Sequence, residues 1–309
     1  MGKGEINQMA FRTLEITKPS EIHIRNNQLE IAGEEGTVYV PIEDLANIMT
    51  IGADIRLSTM DLSILTQNHV AITTLDTKYL PTAIVLPFEG HSRQSQLIHR
   101  QIELGNEKYL SLWYQIIQKK ISNQARALSI LGFEGSEKVS SFAQNLSLEN
   151  IDIQESAAAK KYFSYYHEGL NRRSDDPVNS RLNYCYAILR SAITRAIVGV
   201  GCHPAFGIHH NSQLNPCNLS DDLIEPFRAI ADLTAHANIG SNEKLTKTER
   251  KNLAHVLHNA CIVDGTKVNV LYAIELMAES YKRILMQESN ENLALPTILP
   301  IESMEGITE

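Results

Sequence analysis

The sequence contains no run of about 18 consecutive apolar residues, the length that a membrane-spanning helix requires. Its first residues, MGKGEINQ, also lack the apolar stretch of a secretory signal peptide. These absences argue against a membrane protein and against a secreted one, so we expect a cytoplasmic protein. A hydrophobic content of 43% predicts a chain that folds around a substantial core.

Cysteine is scarce, and its spacing fits no metal-binding or redox motif. Among 309 residues there are four cysteines, at Cys185, Cys202, Cys217 and Cys261. No two of them form a C-x-x-C pair, so a zinc ribbon or a dithiol redox centre is not supported. We predict that they are small buried side chains or unreactive thiols.

Several motifs of well-known enzyme classes are also missing. Gly199-Val200-Gly201 lacks the lysine and the spacing of a phosphate-binding P-loop, and no G-x-S-x-G sequence marks a nucleophilic serine. Neither H-E-x-x-H nor a His-Asp dipeptide occurs. These absences argue against P-loop nucleotide hydrolysis, against serine acyl transfer and against two classes of metal-dependent hydrolase.

The chain has no excess of positive charge, since its net charge is −8. Basic residues are nevertheless concentrated in two stretches. Residues 91–131 contain six Lys or Arg against two acids, and residues 160–200 contain seven against three. Such stretches are typical of a local phosphate-binding surface, although solvated helix faces have the same pattern.

The hydrophobic pattern changes after the first eighty residues. Short alternating segments come first, separated by turn signals such as Asn26-Asn27, and one helix is expected at 59–69 with Ser58 and Asp61 as its capping box. Helical spacing then dominates. The helical patterns cover residues 94–132, 153–169, 180–200, 219–236, 247–262 and 266–287.

The sequence therefore predicts an α+β protein of two domains, a small β-rich N-terminal domain followed by an all-helical catalytic domain. We place the β-rich domain at residues 1–86, a linker marked by Pro87 and Gly90 at 87–95, and the helical domain at 96–287. Residues 288–309 are predicted to form a flexible tail.

The densest group of chemically reactive side chains lies in residues 202–228, CHPAFGIHHNSQLNPCNLSDDLIEPFR. Its three histidines, His203, His209 and His210, precede a helix that Asn218 is predicted to cap. Asp222 and Glu225 are expected to share one face of that helix. An imidazole that faces carboxylates suits a cation of the Mg²⁺ or Mn²⁺ class.

Each of these acids also has a purely structural interpretation. Asp221 and Asp222 are favoured near a helix N-terminus, and Glu225 is placed to pair with Arg228. Glu155 opens the alanine-rich segment ESAAAKKYF, where first-turn glutamates are common. On spacing alone, the metal site and the structural interpretation both remain open.

Taken together with LPTAIVLPF, HRQI and LNYCYAILRSAITRAIVGVGCHP, these segments resemble the CRISPR adaptation integrases, the endonucleases that insert new spacers. The similarity is to the form that accompanies type II systems, and it extends in order over residues 20–285. The Gly-x-x-His, Asn-Leu and Asp-x-x-Glu-Pro-Phe-Arg elements of residues 207–228 occur together, which makes the resemblance specific.

The resemblance implies a metal site formed by Glu155, His210 and Glu225, where His210 is the third residue after Gly207. Asp222 matches a supporting acidic position. His209 competes with its neighbour His210 for the role of ligand, because adjacent side chains do not easily point the same way.

The resemblance also implies Mg²⁺ or Mn²⁺ as cofactor, double-stranded DNA as substrate, and a homodimer that the β-rich domain forms. A small ferredoxin-like adaptation protein and the type II RNA-guided effector nuclease are implied as partners. The basic stretches then become candidates for the DNA-binding surface. Our candidate residues for that surface are His91, Arg93, Lys119, Lys120 and Arg126.

In integration, a DNA 3′-hydroxyl attacks a phosphodiester in line, and a bound metal stabilises the developing charge. Water could attack at the same metal site, so a general metal-dependent nuclease or resolvase is an alternative. A non-catalytic DNA-binding scaffold whose acids only cap helices is a third hypothesis.

Overall fold

A computed structural model describes residues 12–51, 54–76, 81–88, 91–167, 176–238, 245–288 and 292–301. The chain divides into two compact units between residues 90 and 91. The predicted succession of a β-rich N-terminal region and a mainly helical C-terminal region is confirmed. Within the described ranges, no helix is both long and apolar enough to span a membrane.

The first unit contains two four-stranded sheets and one helix. In chain order its elements are β1 (Arg12–Ile16), β2 (Ser20–Arg25), β3 (Gln28–Gly33), β4 (Gly36–Pro41), β5 (Leu45–Ile51), β6 (Ile55–Leu57), α1 (Thr59–Gln67), β7 (Ala71–Leu75) and β8 (Pro81–Val85). One sheet has the order β4-β3-β2-β6 and the other β1-β5-β7-β8. A single apolar cluster draws side chains from both sheets and from α1.

Two local predictions in this unit are confirmed. Asn26 and Asn27 have φ angles of 53° and 58° and form the tight turn between β2 and β3, because asparagine tolerates this left-handed region. Ser58 and Asp61 form a complete capping box at the start of α1. The Asp61 carboxylate also accepts a hydrogen bond from the Ile24 N–H at 2.9 Å, which fixes α1 against β2.

The second unit is mainly helical. Its helices are α2 (Gln94–Glu103), α3 (Asn106–Leu131), α4 (Ser136–Gln144), α5 (Ile151–Tyr166), α6 (Pro177–Gly199), α7 (Asn218–Leu223), α8 (Arg228–His236), α9 (Lys247–Ala254) and α10 (Val270–Leu285). The long helix α3 packs against α4, α5 and α8 and is therefore central to this unit.

The prediction of an all-helical second domain is wrong. Three strands, β9 (Ala260–Val263), β10 (Thr266–Asn269) and β11 (Thr297–Ile298), form an antiparallel sheet in the order β10-β9-β11. The helices predicted at 247–262 and 266–287 are correspondingly shorter. Asp264-Gly265 causes the difference, because both residues adopt positive φ angles, 48° and 80°, and make a hairpin turn.

The prediction of a flexible tail from residue 288 is wrong for residues 292–301. Leu293 and Ile298 are buried there, and β11 pairs with β9. Asn123 on α3 holds this segment, donating to the Pro296 carbonyl at 2.9 Å and accepting from the Ile298 N–H at 3.3 Å. Residues 289–291 and 302–309 of the predicted tail lie outside the described residues.

Two further boundaries differ from prediction. Helix α2 begins at Gln94, so the last two residues of the predicted linker 87–95 are helical. The helix predicted at 219–236 is broken into α7, a 3-10 turn at Glu225–Phe227, and α8. Pro226 is the cause, since it has no N–H to donate within a continuous α-helix.

The prediction for the cysteines is confirmed. All four thiols are free; Cys217 is half-buried and the others are buried. Burial raises the pKa of both Cys202 and Cys261 to about 12, so neither forms a reactive thiolate near neutral pH.

Candidate active site

Glu225 begins the 3-10 turn that follows α7, and only 6% of it is exposed. Arg228 donates to its Oε1 at 2.8 Å, which confirms the pairing that the spacing suggested. Burial by itself would raise the pKa of Glu225, but Arg228 and then Lys120 outweigh burial and lower the pKa to about 2. Glu225 is therefore a carboxylate throughout the physiological range.

Glu155 lies on α5, which begins at Ile151, so Glu155 occupies the second turn and does not open the helix as predicted. Ala158, one turn further on, is fully buried. Helix α5 packs against α3, and the Glu155 carboxylate contacts Lys120 on α3.

Lys120 connects the two glutamates. Its Nζ lies 2.5 Å from Glu155 Oε1 and 2.6 Å from Glu225 Oε2. The contact with Glu225 Oε2 is close but poorly directed, and this buried oxygen has no well-aligned hydrogen bond within the described part of the chain. Two carboxylates from separate elements thus converge on one cationic position.

His210 is held from the side of α7. Its Nδ1 lies 2.5 Å from Oδ1 of Asp222, a fully buried carboxylate. The hydrogen bond with Asp222 is the largest influence on His210, and it raises the pKa of the imidazole despite partial burial. A ring whose Nδ1 is bound in this way presents Nε2 as its metal-binding nitrogen.

Asp222 also organises the loop before it. Its two oxygens accept hydrogen bonds from the backbone N–H groups of Ile208 at 2.6 Å, His209 at 2.9 Å and His210 at 3.2 Å. A Cβ atom on Gly207 would lie 2.1 Å from the His210 carbonyl oxygen and 2.8 Å from Asp222 Oδ2. The Gly-x-x-His spacing therefore has a steric reason, because only glycine fits at this close approach.

Asn218 does not cap α7 as predicted. The helix begins at Asn218 itself, and the side chain turns back to the loop. Its Nδ2 donates to the carbonyls of Ala205 at 3.1 Å and Ser212 at 2.9 Å. Asn218 and Asp222 together therefore fix the loop that carries the histidines.

The rings of His209 and His210 meet edge to face, with centroids 5.6 Å apart. The His209 ring stacks on Trp113 with a centroid distance of 4.3 Å and an interplanar angle of 2°, and its Nε2 lies 3.7 Å from Asp152 Oδ1. The planes of the His209 and His210 rings are 85° apart. Sequence reasoning missed Trp113 as a site residue because its helical spacing is that of an ordinary core residue.

The structure thus brings Glu155 and Glu225 together and places His210 on Asp222. Over the described ranges, no three His, Cys, Asp or Glu side chains converge as a complete metal-binding group. The two carboxylates fit a hard divalent cation, which prefers oxygen ligands. The assignment of Glu155, His210 and Glu225 as one metal site stays a prediction.

The structure places Lys120, a predicted DNA-binding residue, in the interior of the second unit, and its role in DNA binding stays a prediction. Lys120 is 7% exposed and lies between two carboxylates, so its charge is already neutralised inside the protein. Lys119 donates to Thr297 Oγ1 at 3.1 Å, and Arg126 donates to the Ile298 carbonyl at 2.7 Å. Both of these residues support the segment that contains β11.

His91 and Arg93 lie just ahead of α2. The Nδ1 of His91 accepts a hydrogen bond from the Arg93 backbone N–H at 3.1 Å, and the Arg93 side chain is exposed. Their role in DNA binding stays a prediction, as does that of Lys119 and of the largely exposed Arg126.

A cavity of about 200 Å³ adjoins the carboxylates. It is lined by Lys120, Gln124, Ala159, Phe163, Tyr186, Glu225, Arg228 and Asp232. The Arg228 guanidinium lies over the Tyr186 ring at 4.7 Å. Asp232 is buried and accepts hydrogen bonds from Tyr162 and Tyr186.

Sequence reasoning did not identify this cavity. The i, i+4 spacing of Arg228 and Asp232 on α8 is the one available signal, since it places both on the same face. Tyr162 and Tyr186 come from two other helices, and nothing in the sequence links them to Asp232.

Comparisons with known proteins place the chain in a family. Residues 14–261 match the family described as CRISPR associated protein Cas1. The CRISPR-associated endonuclease Cas1 of Neisseria meningitidis serogroup C (strain 8013) is 30% identical over 302 residues, which cover 96% of this chain and 99% of that protein.

Two solved structures share the fold. A casposase bound to integration product has a TM-score of 0.76 at 19% identity, covering 96% of both chains. A Cas6-RT-Cas1–Cas2 complex has a TM-score of 0.72 at 15% identity, covering 97% of this chain and 37% of that one. By the family match and the Neisseria relative, this chain belongs to the Cas1 family of CRISPR-associated proteins.

Proposed function

We propose that this chain is a divalent-metal-dependent DNA integrase. It joins the 3′-hydroxyl ends of short duplex DNA to the backbone of a CRISPR repeat array. The observation that carries the proposal is the convergence of Glu155 and Glu225 on one cationic position, with His210 held nearby on Asp222. Family membership supplies the class of substrate.

Glu155, Glu225 and His210 would hold the metal, either Mg²⁺ or Mn²⁺. When bound, the metal stabilises negative charge on the attacked phosphate and makes the attacking hydroxyl more nucleophilic. Arg228 keeps Glu225 ionised and oriented through their hydrogen bond of 2.8 Å. Asp222 acts as a positioning residue, because its bond to Nδ1 fixes the orientation of the His210 ring.

The reaction exchanges one phosphodiester for another. A bond forms between the 3′-oxygen of the incoming strand and a phosphorus of the repeat, and the bond from that phosphorus to the 3′-oxygen of the repeat strand breaks. The attacking hydroxyl loses its proton and the departing oxygen gains one. The number of phosphodiesters is unchanged, so the reaction requires no nucleotide hydrolysis and no P-loop.

The proposal includes partners. A homodimer formed through the β-rich unit, double-stranded DNA, a small ferredoxin-like adaptation protein and the type II RNA-guided effector nuclease are the partners that we expect. Two structural relatives support DNA and a small adaptation protein as partners, since one is bound to an integration product and another is a complex that contains Cas2.

The test is a strand-joining assay with the full chain, its small adaptation partner and a supercoiled plasmid that bears the repeat. Labelled duplex with free 3′-hydroxyl ends is compared with the same duplex carrying 3′-deoxy ends. We expect covalent joining of label to plasmid with Mn²⁺ or Mg²⁺, and none with EDTA. The 3′-deoxy duplex should join at background level, because it has no nucleophile.

The matched duplexes separate the integrase from the nuclease. If the plasmid is nicked equally with both duplexes and no label is joined to it, the protein is a metal-dependent nuclease and not an integrase. If a correctly folded protein neither joins nor nicks DNA with any metal, the remaining hypothesis is a non-catalytic DNA-binding scaffold.

The adjacent histidines provide a second prediction. We expect His210→Gln to reduce joining by about 10²-fold or more, because the variant loses the imidazole that Asp222 positions. His209→Gln is the matched control. It should join within a few fold of wild type but change the fluorescence of Trp113, the one tryptophan in the sequence, by removing the stacked ring.

If His209→Gln loses joining and His210→Gln keeps it, the two assignments must be exchanged. Both rings contact Trp113, His209 stacked at 4.3 Å and His210 edge-on at 6.0 Å, so we expect the larger change in fluorescence from His209→Gln.

A further inference from the structure

Lys120 has an unusual position for a basic residue of a DNA-processing protein. It projects from α3 into the space between Glu155 and Glu225, and its own exposure is only 7%. No DNA phosphate is needed to explain its burial, because the two carboxylates supply its counter-charges. The neighbouring Lys119 turns instead toward Thr297.

The electrostatics show why a cation is needed there. Glu225 is buried, and leaving a buried carboxylate without full compensation is strongly destabilising. Arg228 contacts Oε1 of Glu225, whereas Lys120 is the cation at Oε2 and at Glu155 Oε1. Lys120 therefore neutralises the same oxygens that the proposed function gives to a divalent metal.

We infer that Lys120 is a resident counter-ion, which occupies the position between Glu155 and Glu225 until a divalent cation displaces it. This inference rests on the proposed function, since it assumes that Glu155 and Glu225 are metal ligands. It gives Lys120 a positioning role: it holds the two carboxylates around one position in the metal-free protein, and it sets the affinity for the metal by competing with it.

The structure contains a place for the displaced side chain. Lys120 lines the cavity of about 200 Å³, and Asp232 lines the same cavity. This volume is several times the share of one water molecule in the liquid, about 30 Å³, so it can hold an ammonium group. Lysine is a flexible point charge on a four-carbon stem, and its head group can move toward Asp232 while its backbone stays in α3.

The test measures metal affinity directly. Mn²⁺ is titrated calorimetrically into the full-length metal-free protein and into Lys120→Gln, Lys120→Arg and Lys119→Gln. We expect Lys120→Gln to bind Mn²⁺ at least about tenfold more tightly than wild type, because the competing charge is gone. Lys120→Arg keeps a competing charge and should remain near wild type. Lys119→Gln is the matched control and should not change the affinity.

Thermal unfolding gives a second measurement. In EDTA, Lys120→Gln should unfold at a lower temperature than wild type, since Glu155 and Glu225 lack their shared cation. Saturating Mn²⁺ should remove that difference. A lysine with a purely structural role would leave the variant destabilised with and without metal, and its affinity for Mn²⁺ unchanged or weaker.

The outcomes separate this inference from the proposed function. Equal or weaker Mn²⁺ binding by Lys120→Gln, beside clear binding by wild type, overturns the counter-ion role and leaves the integrase intact. Absence of Mn²⁺ binding in both the wild type and Lys120→Gln overturns the metal site and the counter-ion role together. Tighter binding by Lys120→Gln with unchanged binding by Lys119→Gln supports the inference.

Discussion

Replacing Glu225 with glutamine is expected to lower strand joining by about 10²–10³-fold or more, while the chain stays folded. Glutamine keeps the volume of the side chain and an oxygen that can accept from Arg228, so packing around the 3-10 turn is preserved. It removes the negative charge that the proposed metal requires. Joining is measured with the duplex and plasmid described above, and the fold by circular dichroism on the same samples.

Glu275→Gln is the matched control. Glu275 is a half-buried glutamate on α10 that contacts Arg195 on α6 at 3.4 Å, outside the candidate site. Its replacement should leave joining within a few fold of wild type. Wild-type joining by Glu225→Gln would show that Glu225 serves only to pair with Arg228, as the structural interpretation of the sequence has it, and with Lys120.

Replacing Asp222 with asparagine is expected to reduce the free energy of unfolding by about 3–5 kcal/mol, the usual cost of breaking a buried charged interaction. Both oxygens of Asp222 act only as acceptors, one toward His210 and the other toward the Ile208 and His209 N–H groups. An amide NH₂ in place of either oxygen faces another donor. The measurement is urea unfolding in EDTA, so that no metal contributes to the stability.

Asp221→Asn is the matched control, because it makes the same chemical change one residue away, outside the contacts with His210. Asp221 lies on the same helix, is partly exposed, and pairs with Arg190 at 2.7 Å. A partly exposed pair of this kind is worth at most about 1 kcal/mol. If Asp222→Asn and Asp221→Asn unfold at the same urea concentration, the hydrogen bonds from Asp222 to the loop and to His210 contribute nothing to stability.

Local sequence signals predicted the parts of the fold that local interactions determine. The Asn26-Asn27 turn depends on backbone conformation, and the Ser58–Asp61 capping box on a spacing of three residues. Both features could be predicted from the sequence because they depend only on residues close together in the chain. The Asp264-Gly265 hairpin carries an equally local signal, but helical periodicity on both sides of it led to two continuous helices.

The candidate site was predictable only in part. Resemblance to a family identified Glu155, His210 and Glu225, whereas the supporting contacts come from distant segments of the chain. A cluster of basic residues does not show which lysine turns inward, and Lys120 does so because α5 and the Glu225 turn present carboxylates to it. The different orientations of the His209 and His210 rings depend on Trp113 and Asp222, which come from distant segments of the chain.

The steric role of Gly207 likewise becomes apparent only when α7 folds against the loop. In the sequence, Gly207 is one glycine among 16. In the structure, the His210 carbonyl and the Asp222 carboxylate occupy the space that a side chain would need. The motif that carried the family resemblance is thus explained by contacts that no local pattern encodes.

Anomalous diffraction at the manganese edge, from crystals of the full chain grown with Mn²⁺, would locate the metal relative to Glu155, His210 and Glu225. We expect one peak bounded by oxygens of Glu155 and Glu225 and by Nε2 of His210, each within about 2.0–2.6 Å, with Lys120 moved out of the space between the glutamates. A manganese peak on other residues would contradict this expectation. So would a structure at saturating Mn²⁺ in which Lys120 still joins Glu155 to Glu225.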